Sequence, residues 1–278
     1  MLGDDFTDSW SKFDIISRLK DKEGSKEQLL DYISKQALTW NKSEKEKINS
    51  VINNINKKIE SNGFNLPFPD TIYLLKTTAK EEAEVLGYTR ANYIVLSTNI
   101  IKRSIYEIEE TLIHELFHVL TRNNPKFRKD IYTIIGFELC NKIEYPANIA
   151  DYKITNPDAP LNDSFIRLKK GNENVDCSMI IYSKKQYRSG SFFEYINVDF
   201  LVLENNDNKR EAKLINGEPV ILNFKEVQGF FEQVGKNTRY IIHPEEILAE
   251  NFVYAMYNDK NLPDQFIVNE IRKLLESF

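Results

Sequence analysis

Histidine is scarce in this chain, with 3 residues in 278. Cysteine is scarcer, and the 2 present make no disulfide framework. Cys140 and Cys177 could pair, but they read first as small buried apolar side chains. A basic excess is absent. Lys and Arg number 37 against 42 Asp and Glu, a net charge of −5 with a pI near 5.5. That balance carries no electrostatic footprint for nucleic acid, although net charge leaves local basic patches open. No apolar run of about 18 residues occurs, so no transmembrane helix is expected. The opening MLGDDFTDSW has neither a basic n-region nor an apolar h-region. The expectation is a cytoplasmic protein, or a secreted one whose signal is absent from this sequence. Internal repeats and low-complexity segments are also lacking.

What is present suits a soluble globular protein: 41% hydrophobic and 28% charged residues. The chain is long enough to bury a real core as one large domain or two small ones. The first sixty or so residues read as helices. KEQLLDYISKQALTW carries a 3.6-residue apolar period, and SEKEKINSVINNINKKIES repeats it, with Ser43 and Glu46 as a capping box and Gly63 as a stop. DTIYLLKTT and NYIVLST read as strands. SIYEIEETLIHELFHVL reads as a helix, opened by a Ser104/Glu107 capping box and striped by Ile105, Ile108, Leu112, Leu116 and Val119 or Leu120. A helical stretch is expected to continue through PKFRKDIYTIIGFELC. From about 145 to 162 three prolines punctuate a loop. Strand signals follow in SMIIYSKKQY, SFFEYINVDFLVLE, EAKLI and PVILNF, with ENNDNKRE and NGEP as turns. HPEEILAENFVYAMY and FIVNEIRKLLESF read as closing helices.

Two of the 3 histidines, His114 and His118, stand four apart in HELFH. On a helix that spacing puts both on one face, where two imidazoles reach one divalent metal. Glu115 is rotated about 100° from His114 and lies beside such a metal, where a general base takes a proton from bound water. The competing reading is a helix with two half-buried histidines bonded to carbonyls. A catalytic zinc needs a third protein ligand. A metzincin continuation fails, because Thr121 and Asn124 stand where it needs glycine and histidine. HPEEILAENF offers a glutamate instead. Pro244 suits the first helical position with His243 as cap, and Glu245 and Glu246 suit the first turn. Glu246 and Glu250 share a face, one to bind metal and the other to fix an imidazole tautomer. A solvated acidic face is the alternative, but Ala249, Phe252, Val253 and Met256 argue that this helix is packed.

HELFH and EILAE together resemble the gluzincin class of zinc metallopeptidases. The second segment is similar to the glutamate helix of the anthrax lethal factor-like peptidases. The resemblance covers about 35 of 278 residues. It implies a zinc ion held by His114, His118 and Glu246, with Glu115 as general base and Glu250 behind a ligand. Glu246 lies 128 positions after His118, further than in that group. The lethal factor-like group also has an oxyanion-stabilising tyrosine seven residues before the glutamate; here that position is Arg239, and Tyr240 follows it. Tyr240, Arg239 and His243 are the candidates for that role, with a plain capping histidine as the other reading of His243.

The implied fold is α+β, a zincin-like metallopeptidase fold with a β-rich insertion between the two metal-binding helices. The expected division is one catalytic unit: a helical region at 1–62, strands and the HELFH helix at 63–145, the insertion at 146–240 and the closing helices at 241–278. The implied function is hydrolysis of peptide bonds in a peptide or protein substrate by a metal-activated water. NYIVLST is expected to be the edge strand that pairs with that substrate. The alternative is an inactive zincin-like binding module with a structural metal. Oligomeric state is not legible.

Overall fold

The N-terminal helices form where polar side chains close their first turns. The computed structural model describes residues 4–207 and 209–278. In it α1 (Asp5–Asp8), α2 (Lys12–Leu19), α3 (Lys26–Ser34) and α4 (Lys42–Asn62) each start at a capping box. For α4 the box differs from the expected one. Asn41 Oδ1 accepts the Glu44 N–H at 2.9 Å, and Glu44 accepts the Asn41 N–H in return at 2.9 Å. Ser43 and Glu46 have the right spacing but lie inside the helix; Lys76 holds Glu44 in place at 2.7 Å. Gly63 ends α4 at φ 67°.

The helix in KEQLLDYISKQALTW stops early, and Ala37–Leu38 forms β1. With β2 (Tyr73–Thr77), β3 (Gly87–Arg90) and β4 (Tyr93–Ser97) it makes a sheet of order β1-β2-β4-β3. β2 and β4 are parallel, while β3 and β4 form an antiparallel hairpin. This corrects the expectation for NYIVLST: it lies inside the sheet, whose edges are β1 and β3, and the edge that packs beside the HELFH helix is β3, GYTR. A four-residue strand holding a glycine and an arginine carries little of the β-branched alternation that marks strands in a sequence.

After α5 (Thr98–Ile101), the HELFH segment forms α6 (Ile105–Asn123), capped by Ser104 and Glu107 as expected. Leu112, Ile113, Phe117, Val119 and Leu120 are buried, whereas Ile105 at the helix start is 44% exposed. The helix of PKFRKDIYTIIGFELC, α7 (Pro125–Ile134), is shorter than expected. Gly136, at φ 77°, turns the chain into β5 (Phe137–Leu139).

A short α8 (Ala147–Ala150) precedes β6 (Ser164–Lys170), β7 (Glu173–Tyr182) and β8 (Asn197–Asn206). β9 (Lys209–Ala212), β10 (Leu214–Ile215), β11 (Glu218–Pro219) and β12 (Ile221–Leu222) are short. β5 to β8 and β12 form an antiparallel sheet in the order β12-β8-β7-β6-β5, with β9 also on β8. α9 (Phe230–Val234), α10 (Pro244–Tyr257) and α11 (Gln265–Ser277) complete an α+β architecture. No helix among the described residues is long and apolar enough to cross a membrane.

One apolar cluster joins these parts, with Ile55, Ile94, Phe117, Phe127, Phe200, Phe252 and Ile271 all in it. Phe117 of α6 and Phe252 of α10 pack with ring centroids 5.4 Å apart. That contact fixes how the histidine-bearing helix meets the glutamate-bearing one, and truncating either ring would cost about 3–5 kcal/mol.

Candidate metal centre

α6 carries His114 and His118 one turn apart, with ring centroids 4.9 Å from each other. α10 crosses beside them. Glu246 Oε2 lies 3.0 Å from His114 Nε2 and 3.7 Å from His118 Nε2. Two ligands of one tetrahedral zinc stand roughly 3.3 Å apart, from metal–ligand distances near 2.0–2.1 Å. The three donor atoms lie within 4.8 Å of one another. Each histidine is held from behind: His114 Nδ1 is 3.1 Å from Glu250 Oε1, and His118 Nδ1 is 3.2 Å from Glu245 Oε1. Both rings therefore turn Nε2 toward Glu246. His118 Nε2 is buried and has no hydrogen-bond partner among the described residues. A polar atom stranded in that way is costly, and a metal ion would satisfy it. Two imidazoles and one carboxylate are a donor set that suits zinc.

The charges agree with this geometry. Burial works against a charged His114, yet the hydrogen bonds to Glu246 and Glu250 outweigh it and hold its pKa well above the ordinary value. It thus donates from both nitrogens when no metal is present. Burial also opposes charge on Glu246, but the neighbouring His118 and His114 keep its carboxyl well below the usual range. Asn156 adds a donor to Glu246 Oε1 at 2.6 Å.

Sequence reasoning gave Glu245 no role, yet it stands directly behind His118. It is 2% exposed and accepts from His118, from the Thr121 hydroxyl and, at 2.6 Å, from the Tyr132 hydroxyl. Burial raises its pKa, and the His118 contact, Arg128 and Thr121 more than reverse that. By sequence it reads only as a first-turn acidic residue of α10. Its neighbour Glu246 points about 100° away around the helix, so the pair divides between the metal side and the far side of His118.

Glu115 lies on the cleft side of α6, 3% exposed, and its Oε2 accepts from the Thr89 hydroxyl of β3 at 2.7 Å. Burial and the nearby Asp158 push its pKa up to about 8, against the pull of His118, His114 and Thr89. β3 comes this close because residue 87 is glycine. A Cβ there would stand 3.0 Å from Glu115 Oε1 and 3.2 Å from Thr111 Cγ2.

The cleft in front of these groups measures about 490 Å³. β3, α6, α10 and the loop at 154–158 line it, with Phe192, Phe193 and Ile242 giving it an apolar end. Tyr240 also lines it, 41% exposed, with its ring 6.4 Å from that of His114. The other two oxyanion candidates stand elsewhere. Arg239 is exposed and takes no part in lining the cleft. His243 is the N-cap of α10: its Nδ1 accepts the Glu245 N–H at 3.1 Å, and burial lowers its pKa to about 4, so it is a neutral cap.

No family model, no curated protein and no solved structure matches this chain.

Proposed function

We propose that this chain is a zinc-dependent peptidase of the gluzincin type, with His114, His118 and Glu246 holding the metal. The observation that carries the reading is the partnerless, buried His118 Nε2, aimed with His114 Nε2 at one carboxylate oxygen. On this reading the first sheet, α6 and α10 form a zincin-like scaffold, and the second sheet is largely an insertion between the two metal-binding helices.

Zinc held by His114, His118 and Glu246 would supply Lewis acidity and would make a water more acidic. The chain's own residues do the rest. The charge of a metal beside it would pull the raised Glu115 pKa back down, and Glu115 would then take the water's proton on its carboxylate and pass it to the leaving amine. Thr89 fixes that carboxylate through the 2.7 Å hydrogen bond. Glu250 and Glu245 hold the imidazoles in one tautomer and orientation. Tyr240, alone of the three candidates in lining the cleft, offers its phenol to the developing oxyanion. An extended peptide adds to the β3 edge by backbone pairing, in the manner of β-augmentation.

Glu115→Gln tests this. The variant keeps about one zinc per chain by elemental analysis and loses cleavage of a peptide library that the parent cleaves. Full activity in Glu115→Gln refutes the mechanism. A parent that binds zinc and cleaves nothing is a binding module with a structural metal.

A further inference from the structure

The loop after α8 returns across the cleft, and its residues 155–158 meet the machinery at several points. Asp158 Oδ1 accepts the backbone N–H of Thr89 at 2.5 Å. Thr89 belongs to β3, an edge strand, so Asp158 occupies a donor that an added peptide strand would use. Asn156 donates to Glu246 at 2.6 Å. From α6, Arg122 clasps the same loop through the carbonyls of Pro157 and Asp158, at 3.3 and 2.8 Å. Thr155 is fastened on the far side, its N–H and hydroxyl donating to Asp14 at 2.9 and 2.7 Å.

A carboxylate oxygen of Asp158 also lies within 4.8 Å of donor atoms of both His118 and Glu115, a set that shares His118 with the His114–His118–Glu246 centre but does not include His114 or Glu246. Oδ2 of Asp158 makes no hydrogen bond with the described residues, so one oxygen of this carboxylate remains free to bind. A three-ligand site with its fourth position open is a catalytic one; the same site with that position filled by protein is closed. Asp158 comes from a different loop than His114, His118 and Glu246, and it stands on the Glu115 side, where the reactive water has to be.

Resting on the peptidase reading, we propose that residues 155–158 form a latch on the β3 edge, and that with zinc bound a small shift of the Asp158 side chain brings its free oxygen onto the metal as a displaceable fourth ligand, closing the metal and the β3 edge together. Release of the latch frees the coordination position and the Thr89 N–H in one movement. The folded chain is then latent, and a substrate or partner that pairs with β3 competes directly with Asp158.

The test uses the full chain loaded with zinc, or with cobalt as a spectroscopic stand-in. Asp158→Ala should lose zinc affinity on the order of tenfold in competition with a chelator, the scale that lost support around a metal costs. It should also bind acetohydroxamate, followed by the visible absorption of the cobalt form, on the order of tenfold more tightly than the parent. Arg122→Ala loosens the latch without touching the carboxylate, and should shift acetohydroxamate binding in the same direction. Unchanged zinc and acetohydroxamate binding in both variants overturns the latch. So does an Asp158→Ala that keeps zinc affinity and only loses turnover, which assigns Asp158 to the substrate. If the parent binds zinc and cleaves peptide while the variants behave like it, only the latch falls. A parent without zinc removes the peptidase reading and the latch with it.

Discussion

Replacing Glu245 by alanine should damage both the fold and the metal site, and the two losses can be worked out separately. Its carboxylate is 2% exposed and serves three donors. Thr121 has a second acceptor, the His118 carbonyl at 3.3 Å. His118 Nδ1–H and the Tyr132 O–H have no other acceptor among the described residues. Each stranded buried donor costs about 1–3 kcal/mol. Arg128 stays paired with Asp163 at 2.6 Å, so no bare cation is left behind. The expected loss is about 3–5 kcal/mol, as for removing one partner of a buried charged pair. At about 2–4 °C per kcal/mol for a chain of this size, the metal-free protein should melt roughly 6–20 °C lower. Zinc affinity should fall about 10–100-fold as well, because the His118 ring loses its anchor.

Glu250→Ala is the control. Its side chain is 32% exposed, so water can replace it on His114 Nδ1, and the metal-free melting temperature should fall much less than for Glu245→Ala. Zinc affinity should still fall about tenfold or more. The assay is thermal unfolding of metal-free protein beside chelator competition for zinc; unfolding with zinc present would mix binding into the stability. If the two variants melt alike without metal, Glu245 does not bridge α10 to α6 and α7 as argued. If Glu245→Ala keeps the parent's zinc affinity, His118 is not a ligand held through Nδ1.

Gly87→Ala should leave zinc content intact and reduce peptide turnover, since its Cβ would crowd Glu115 Oε1 at 3.0 Å and cost about 1–3 kcal/mol of overpacking; parent-like turnover would show that β3 does not position the base. Tyr240→Phe should lower kcat by about 10²–10³ with little change in zinc content or KM, and an unchanged kcat removes Tyr240 from oxyanion stabilisation. Zinc binding to the metal-free protein should release a proton near pH 7. The His114 pKa is raised in the metal-free fold, so the proton is held at neutral pH and competes with the metal, and zinc affinity climbs as pH rises toward that pKa. Calorimetry in buffers of different ionisation enthalpy reads the proton directly, and a release of none contradicts the His114–Glu246–Glu250 arrangement. The same raised pKa makes His114 a source of metal-free stability that is full below about pH 6.5, its unfolded value, and fades as pH passes the folded one.

How much of this could be read from the residues depends on how far each role reaches along the chain. His114, Glu115 and His118 sit within one turn of one helix, so the 3.6-residue period alone sets their directions. Pro244 and His243 were legible as a helix start for the same local reason, and the cap reading of His243 is the one its hydrogen bond agrees with. Glu245 and Glu246 show where local reasoning stops. Both are first-turn carboxylates, and only the crossing of α10 over α6 decides which faces the Nε2 atoms and which takes Nδ1 of His118. β3 escaped notice because four residues with a glycine carry almost no period, although that glycine is what lets the strand approach Glu115. Asn156 and Asp158 were harder still. In a stretch marked by prolines, an asparagine and an aspartate read as turn residues. Their reach to Glu246 and to the β3 edge follows from long-range anchors, Asp14 and Arg18 on one side and Arg122 on the other. Arg18 is fully committed to those anchors, paired with Asp14 at 2.5 Å and Glu82 at 2.8 Å and donating to the Thr155 carbonyl. The N-terminal helices thus do more than cover the core: α2 holds one end of the loop that crosses the cleft.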